Sequence, residues 1–441
     1  MNKTLTVARL SFKLLLRQGS LKGLPLIIIA LCAFTFFSAT DDSGILFDEL
    51  KLKTLYSFSI SYTFLSVAVI ALTCFTIRRQ IDSRNIYQLC SLPLSRFNIW
   101  LGQALALFTA SLLLLVCLYA TLLSSIYIFQ KSFSLEERNS LYNTISSPEK
   151  QVKPILLSDY DLIIKTVQEK GGKLQAGMPP EIWDAIHLEV IREAQTLESQ
   201  ESKTYEFDLG QRPSTEFFTF HFRPFFLGEN ADFKFDILPD LNAPPNYSMM
   251  DKTTQARKTF LQMPSSAIPS DGRIFIKITN LHSGSVSIQR NSGIYCSFTS
   301  STVNVNLIKA FFSHSLHLAI FVILGMTCAT ALTFATASFA SFSLFLLSLS
   351  YGFFQGIAKD MLFMYEPPFS KIFASKTIES LLWIVKGLQA PPVIENFSQS
   401  RLIESNQVFG LWLPSALVYG LIISALGVYL FNKKELSLLE V

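Results

Sequence analysis

Charge is what this sequence has least of. Asp, Glu, Lys and Arg make up 16% of its 441 residues, against about 25% in ordinary soluble domains. That shortage excludes a chain facing water throughout. The net charge of +4 leaves no basic excess of the kind a nucleic-acid-binding surface needs, so no nucleic acid is expected as a partner. Cysteine is sparse too. Of Cys32, Cys74, Cys90, Cys117, Cys296 and Cys328, no two are spaced as Cys-x-x-Cys, which removes that metal or redox pattern. Among the five histidines there is no His-Glu-x-x-His. His314 and His317 are three apart, a spacing that permits two ligands on one helix face. No carboxylate or cysteine lies near them, and packing at the membrane interface is the better reading. No Gly-x-Ser-x-Gly elbow occurs. Gly171-Gly172-Lys173 lacks the upstream Gly and the following Ser/Thr of a phosphate loop. No catalytic residue, metal or cofactor is expected.

What the sequence has instead is apolar length. Half of it is hydrophobic, with 39 Phe, a residue that partitions well into hydrocarbon. A hydrocarbon core about 30 Å thick needs about 20 apolar residues in helix. Six stretches meet or approach this: 24–39, 55–77, 99–129, 307–334, 339–357 and 409–431. The fold expected is an α-helical polytopic membrane protein of six spans, carrying an α+β, sandwich-like domain between the third and fourth. In chain order it has a leader (1–23), three spans (24–129) with a loop at 78–98, and an insert (130–306). Two more spans (307–357), a second polar loop (358–408), and the last span with its tail (409–441) follow.

Lys3, Arg9, Lys13, Arg17 and Lys22, the loop residues Arg78, Arg79, Arg84 and Arg96, and Lys433 and Lys434 all fall on one side of a six-span chain. By the positive-inside rule that side is cytoplasmic. The insert is slightly acidic, with 18 Lys+Arg against 21 Asp+Glu, and is expected to be extracytoplasmic. The expected location is the cell (inner) membrane, multi-pass, with lipid as a partner. The 358–408 loop also carries Lys359, Lys371, Lys376, Lys386 and Arg401, against the rule. Its 370–388 segment reads as a re-entrant, interfacial or surface helix ending at Pro391–Pro392.

In the leader, Arg9, Lys13 and Arg17 recur every four residues opposite Leu5, Ala8, Phe12 and Leu15, the pattern of an amphipathic interfacial helix. The insert opens with helical periods at 158–170 and 180–197, the second placing Ile182, Ile186, Val190, Ala194 and Leu197 on one face. After Lys203 the period becomes two. Phe218, Phe220 and Phe222 form one alternating set, and Phe233, Phe235 and Ile237 another. Ile274, Ile276 and Ile278, a turn at 280–284, and then Val286 and Ile288 read as a hairpin. Residues 243–269 read as a long loop.

The 78–96 segment is Arg-Arg-Gln-Ile-Asp-Ser-Arg-Asn-Ile-Tyr-Gln-Leu-Cys-Ser-Leu-Pro-Leu-Ser-Arg. It reads as a short amphipathic helix stopped by Pro93, which lacks an amide proton and disfavours helix before it. Ser95 is placed to cap the third span. This stretch resembles the ATP-binding-cassette exporter permeases of the second type, whose loop runs Arg-Glu-x-Glu-x-Gly-Thr-Leu, a Leu-rich stretch, Ser-x-Pro-x-Ser-Arg and then Gly-Lys. Arg79, Asp82, Leu89, Ser91, Pro93, Ser95, Arg96 and Gly102 match or nearly match. Gln80 stands for Glu, Arg84-Asn85 for Gly-Thr, and Gln103 for Lys. The small residues of 335–341, read as a turn between the fourth and fifth spans, and the ending Phe431-Asn432-Lys433-Lys434-Glu435-Leu436 add to the likeness, which covers the membrane parts only.

The resemblance implies a permease that couples a separate ATPase subunit to export, working as a homodimer or with a second permease. Arg79, Asp82, Leu89, Pro93 and Arg96 would then dock the ATPase. Spans nearly free of Asp and Glu disfavour ion-coupled carriers, which usually bury such groups. The alternative is a non-transporting anchor that displays the insert as a binding domain. A membrane enzyme lacks any acid, base or metal constellation. A lipoprotein-releasing subunit would carry its large domain after the first span.

Overall fold

The computed structural model describes residues 3–17, 19–40, 46–83, 94–134, 149–170, 180–210, 212–213, 215–228, 230–241, 243–254, 259–289, 293–299, 303–362, 369–389, 393, 396 and 401–436. The chain divides into two compact units. One comprises Met1–Ser146, Val303–Gln355 and Ile378–Val441; the other comprises Ser147–Thr302 and Gly356–Thr377.

The first unit is helical. Helices α1 (Lys3–Arg17) and α2 (Gly19–Ser38) precede α3 (Leu46–Asp82) and α4 (Arg96–Lys131). Among the described residues, five helices are long and apolar enough to cross a membrane: Leu21–Ser38, Glu49–Asp82, Arg96–Lys131, Asn304–Ala331 and Val408–Lys433. A sixth arises if Phe334–Leu349 and Tyr351–Ala358, bent by 55° at their junction, count as one. This set fits a multi-pass membrane protein. At 1.5 Å per residue, the 37 residues of α3 extend about 55 Å, well beyond a hydrocarbon core of about 30 Å.

Local chemistry explains the helix ends. The Ser95 hydroxyl accepts from the Asn98 amide at 3.3 Å, capping α4 as the sequence leads one to expect. Residues 335–341 are not a turn. They lie inside a helix that begins at Phe334, and the chain reverses just before it at Leu332–Thr333. Short polar side chains there close on nearby carbonyls, as Thr336 does on Thr333, so small residues need not break the helix.

The leader is helical but turned from its expected face. Thr4, Val7, Ser11 and Leu15 are buried, whereas Leu5 is 61% exposed. Close approach to α4 decides this. A Cβ on Gly102 would lie 2.7 Å from the Val7 Cβ, so the small residues Val7 and Ser11, not the bulkier Leu5, face the neighbour.

The second unit holds two four-stranded antiparallel sheets that share one core. Strands β1 (Glu149–Val152), β11 (Ile294–Thr299), β4 (Phe217–Phe222) and β8 (Thr259–Pro264) form one. Strands β3 (Ser202–Asp208), β9 (Arg273–Asn280), β6 (Asn230–Leu238) and β7 (Tyr247–Thr254) form the other. Phe220 and Phe222 meet Phe235 and Phe233 with ring centroids 5.8 and 4.9 Å apart. Each such fully buried ring contributes about 1.5–3 kcal/mol. A three-stranded sheet, β2 (Thr196–Leu197), β10 (Val286–Ile288) and β5 (Pro224–Phe225), completes the unit.

Three readings of the insert need correction. Residues 243–269 are not a loop, because β7 and β8 lie there. Both are edge strands, held to β6 and β4 through backbone pairing, and β7 carries little apolar alternation to announce itself. β9 and β10 are not a hairpin, since they belong to different sheets. The buried Asn280 amide reaches the carbonyls of Leu197, Glu198 and Gly284 and turns the chain from one sheet to the next. Finally, α5 (Asp159–Glu169) and α6 (Pro180–Gln195) form as expected, but α6 buries Trp183 and Val190 and leaves Ile182 half exposed. Ile186, Val190, Ala194 and Leu197 keep the expected face, and only Ile182 departs from it, with the larger Trp183 indole buried in its place.

The remaining helices are α7 (Val303–Ala331), α8 (Phe334–Leu349), α9 (Tyr351–Leu362), α10 (Phe369–Lys386) and α11 (Leu413–Leu436). A π-helical turn, Asn406–Trp412, leads into the last of these. The 370–388 segment is thus helical, while 171–173 and Pro391–Pro392 fall outside the described residues.

Candidate functional site

The expected docking residues lie where α3 ends and α4 begins. Residues 78–82 are the last turn of α3, not the start of a separate helix. Leu89 and Pro93 lie outside the described residues. Arg79 is exposed at the end of α3, its guanidinium 5.9 Å from the centre of the Phe75 ring, a cation–π geometry. Asp82, also exposed, is held by Arg78 at 2.7 Å. Arg96 opens α4 half buried.

Arg78 does more than pair with Asp82. It also donates to the Leu332 carbonyl at 3.4 Å, one of the unpaired acceptors at the C-terminal end of α7, where a cation is electrostatically favoured. A second bond joins α3 to α4: Gln103 Nε2 donates to Gln80 Oε1 at 2.6 Å. These are the two positions where the segment departs from Glu and Lys in the pattern it resembles. These two departures lie against each other as an uncharged amide pair. On the far side of α4, Thr4 of the leader donates to Asn98 Oδ1 at 3.2 Å.

A different cluster sits inside the helical unit. His314 and His317 lie within α7, buried in the protein at 2% and 1% exposure. Tyr62 of α3 and Tyr119 of α4 meet them. His317 Nε2 is 2.8 Å from the Leu388 carbonyl and Nδ1 is 2.8 Å from the Tyr62 hydroxyl. A carbonyl only accepts, so Nε2 carries the proton and Nδ1 takes the Tyr62 hydrogen. His314 Nδ1 faces the Ala310 carbonyl at 2.8 Å and the Tyr119 hydroxyl at 3.0 Å, so it too is the protonated nitrogen. Phe58 packs on both Tyr62 and His314. Each imidazole is hydrogen-bonded, which is what a low-dielectric interior requires of a buried polar group. No group of three or more metal-ligating side chains occurs among the described residues.

Family models, curated proteins and solved structures were compared with the chain, and none matches.

One further juxtaposition involves residue types associated with hydrolysis. Ser297 Oγ is 2.6 Å from His221 Nε2, and Glu149 is 4.0 Å from that same nitrogen. A relay needs the carboxylate on the opposite nitrogen, and Ser297 is 1% exposed. With His221 stacked on Tyr295 at 4.0 Å, the three form a packing contact across β4, β11 and β1.

A local motif singles out Arg79, Asp82 and Arg96, and Ser95 caps α4 as its local signal leads one to expect. Sequence reasoning gave no role to Arg78, Gln80, Gln103, Tyr62 or Tyr119. Their partners lie on other helices, and only the pairing of His314 with His317 had a sequence signal.

Proposed function

We propose that this chain is the membrane subunit of an ATP-binding-cassette export system whose ATPase is a separate protein. Six spans cross the membrane in this reading, with the bent pair α8–α9 as the fifth. The α3–α4 segment faces the cytosol and residues 130–306 face outward. The observation that carries the reading is the Gln80–Gln103 hydrogen bond. Gln80 and Gln103, two departures from the resembled motif that are 23 residues apart in the chain, lie against each other, which supports treating the two helix ends as one coupling element.

The mechanism follows from the bonds at that end of the unit. Arg78 links α3 to the end of α7, and Gln80 links α3 to α4. A load applied between α3 and α4 is therefore shared among three helices. Closure of an ATPase dimer on ATP would press two such segments together and tilt the helices of two permease subunits. Arg79, Asp82, Leu89, Pro93 and Arg96 act here as docking and coupling residues, not catalysts.

Co-purification tests this. An ATPase encoded beside this chain should be retained by the wild-type protein and lost from an Arg79→Glu/Arg96→Glu variant that still folds. Retention by that variant, or labelling of residue 83 from outside the cell, would replace the exporter with the anchored-domain reading.

A further inference from the structure

The leader helix α1 leaves a groove against α4 whose walls differ in chemistry. Leu5, Ala8 and Phe12 of α1 and Ala106 of α4 supply apolar lining, Thr6, Arg9 and Thr109 supply polar lining, and the cleft holds about 440 Å³. That is within the range of small-molecule sites, roughly 300–1,000 Å³. Leu16, one turn beyond Phe12 on the same face of α1, extends the apolar surface at 45% exposure. Lys13 and Arg17 follow Arg9 along the same helix, exposed. No carboxylate occurs in the sequence before Asp41. None of the ion pairs found among the described residues involves Arg9, Lys13 or Arg17.

We propose that this groove binds an anionic phospholipid, with an acyl chain in the cleft and the phosphate held by Arg9. A soluble anion would satisfy the guanidinium but leave the leucines in water. A neutral lipid would cover the leucines but leave the cations without counter-charge. An anionic lipid does both, because one molecule carries the charge and the acyl chain, and Arg9 lines the same cleft as Leu5, Ala8 and Phe12. Arg is suited to the role, since its planar fork binds phosphate oxygens in pairs while its stem lies along apolar surface. Lys13 and Arg17 add a diffuse attraction to an anionic leaflet. The site is independent of the exporter reading.

The test is native mass spectrometry of the full-length protein in neutral detergent, titrated with phosphatidylglycerol or with phosphatidylcholine of identical chains. One phosphatidylglycerol should bind well ahead of further copies and more tightly than phosphatidylcholine. Arg9→Gln should weaken phosphatidylglycerol at least about five-fold, the factor for one cation near an anionic surface, and leave phosphatidylcholine unchanged. Ala8→Phe fills the cleft from the α1 side and should weaken both lipids while thermal unfolding stays as in the wild type. Arg17→Gln should have less than half the effect of Arg9→Gln. Inorganic phosphate at tens of millimolar should not displace the lipid. Equal binding of the two lipids, indifference to Arg9→Gln, or displacement by phosphate alone would each overturn the proposal. Indifference to Ala8→Phe would overturn the acyl-chain placement and with it the site.

Discussion

The Gln103 side chain donates to Gln80 across 2.6 Å, and Gln103 is only 3% exposed. A buried amide of this kind depends on its partner, because the cost of leaving it unpaired exceeds the net gain of the bond. Gln80→Ala should therefore destabilise the helical unit by about 1–3 kcal/mol. Gln80→Glu with Gln103→Lys should recover most of that loss, while either change alone should not. A double-mutant cycle read by thermal unfolding in detergent measures the coupling; a coupling of zero would mean the two side chains act separately.

Gly102 is where the leader comes closest to α4. A methyl there would lie 2.7 Å from the Val7 Cβ and 3.0 Å from the Thr4 carbonyl, so Gly102→Ala must push α1 away. The cost of such overpacking is about 1–3 kcal/mol. Faster tryptic cleavage after Lys13 and Arg17 in the variant is the expected readout.

His317 bridges Tyr62 and the Leu388 carbonyl. His317→Ala strips partners from two buried groups at once and should cost more than Tyr62→Phe, which removes only one hydroxyl. Each buried group left unpaired costs about 1–3 kcal/mol. Comparing unfolding temperatures of the two variants and their double mutant apportions the network. Equal losses would contradict the bridging arrangement.

Asn280 is fully buried and its amide faces three carbonyls. Asn280→Asp replaces those donors with an acceptor, so it should destabilise the insert more than Asn280→Ala does. Hydrogen exchange of the full-length chain should show β2, β9 and β10 losing protection together.

Burial pushes the Cys296 thiol well above its usual value. The folded insert keeps a proton that the unfolded chain releases above about pH 8.5. This contribution to stability is whole below that pH and declines as pH rises, by up to about 1.4 kcal/mol per unit. Cys296→Ala should flatten the decline between pH 8.5 and 10, measured as the urea midpoint for proteolysis of the insert. An unchanged slope would mean other groups govern it.

The apolar spans, the alternating strands around Phe220, Phe235 and Ile276, and the Ser95 cap were all legible in the chain itself. Each rests on neighbours within a few residues, where helix and strand periods act. The buried face of α1, the sheet change at Asn280, and the partners of Gln103 and His317 were not legible. In a segment apolar on every side, hydropathy is the same for a residue facing lipid and one facing protein, so no period marks the inner face. Only close packing, with Val7 against Gly102 and Tyr62 against His317, breaks that degeneracy. It does so through contacts between residues that are 95 and 255 positions apart in the chain.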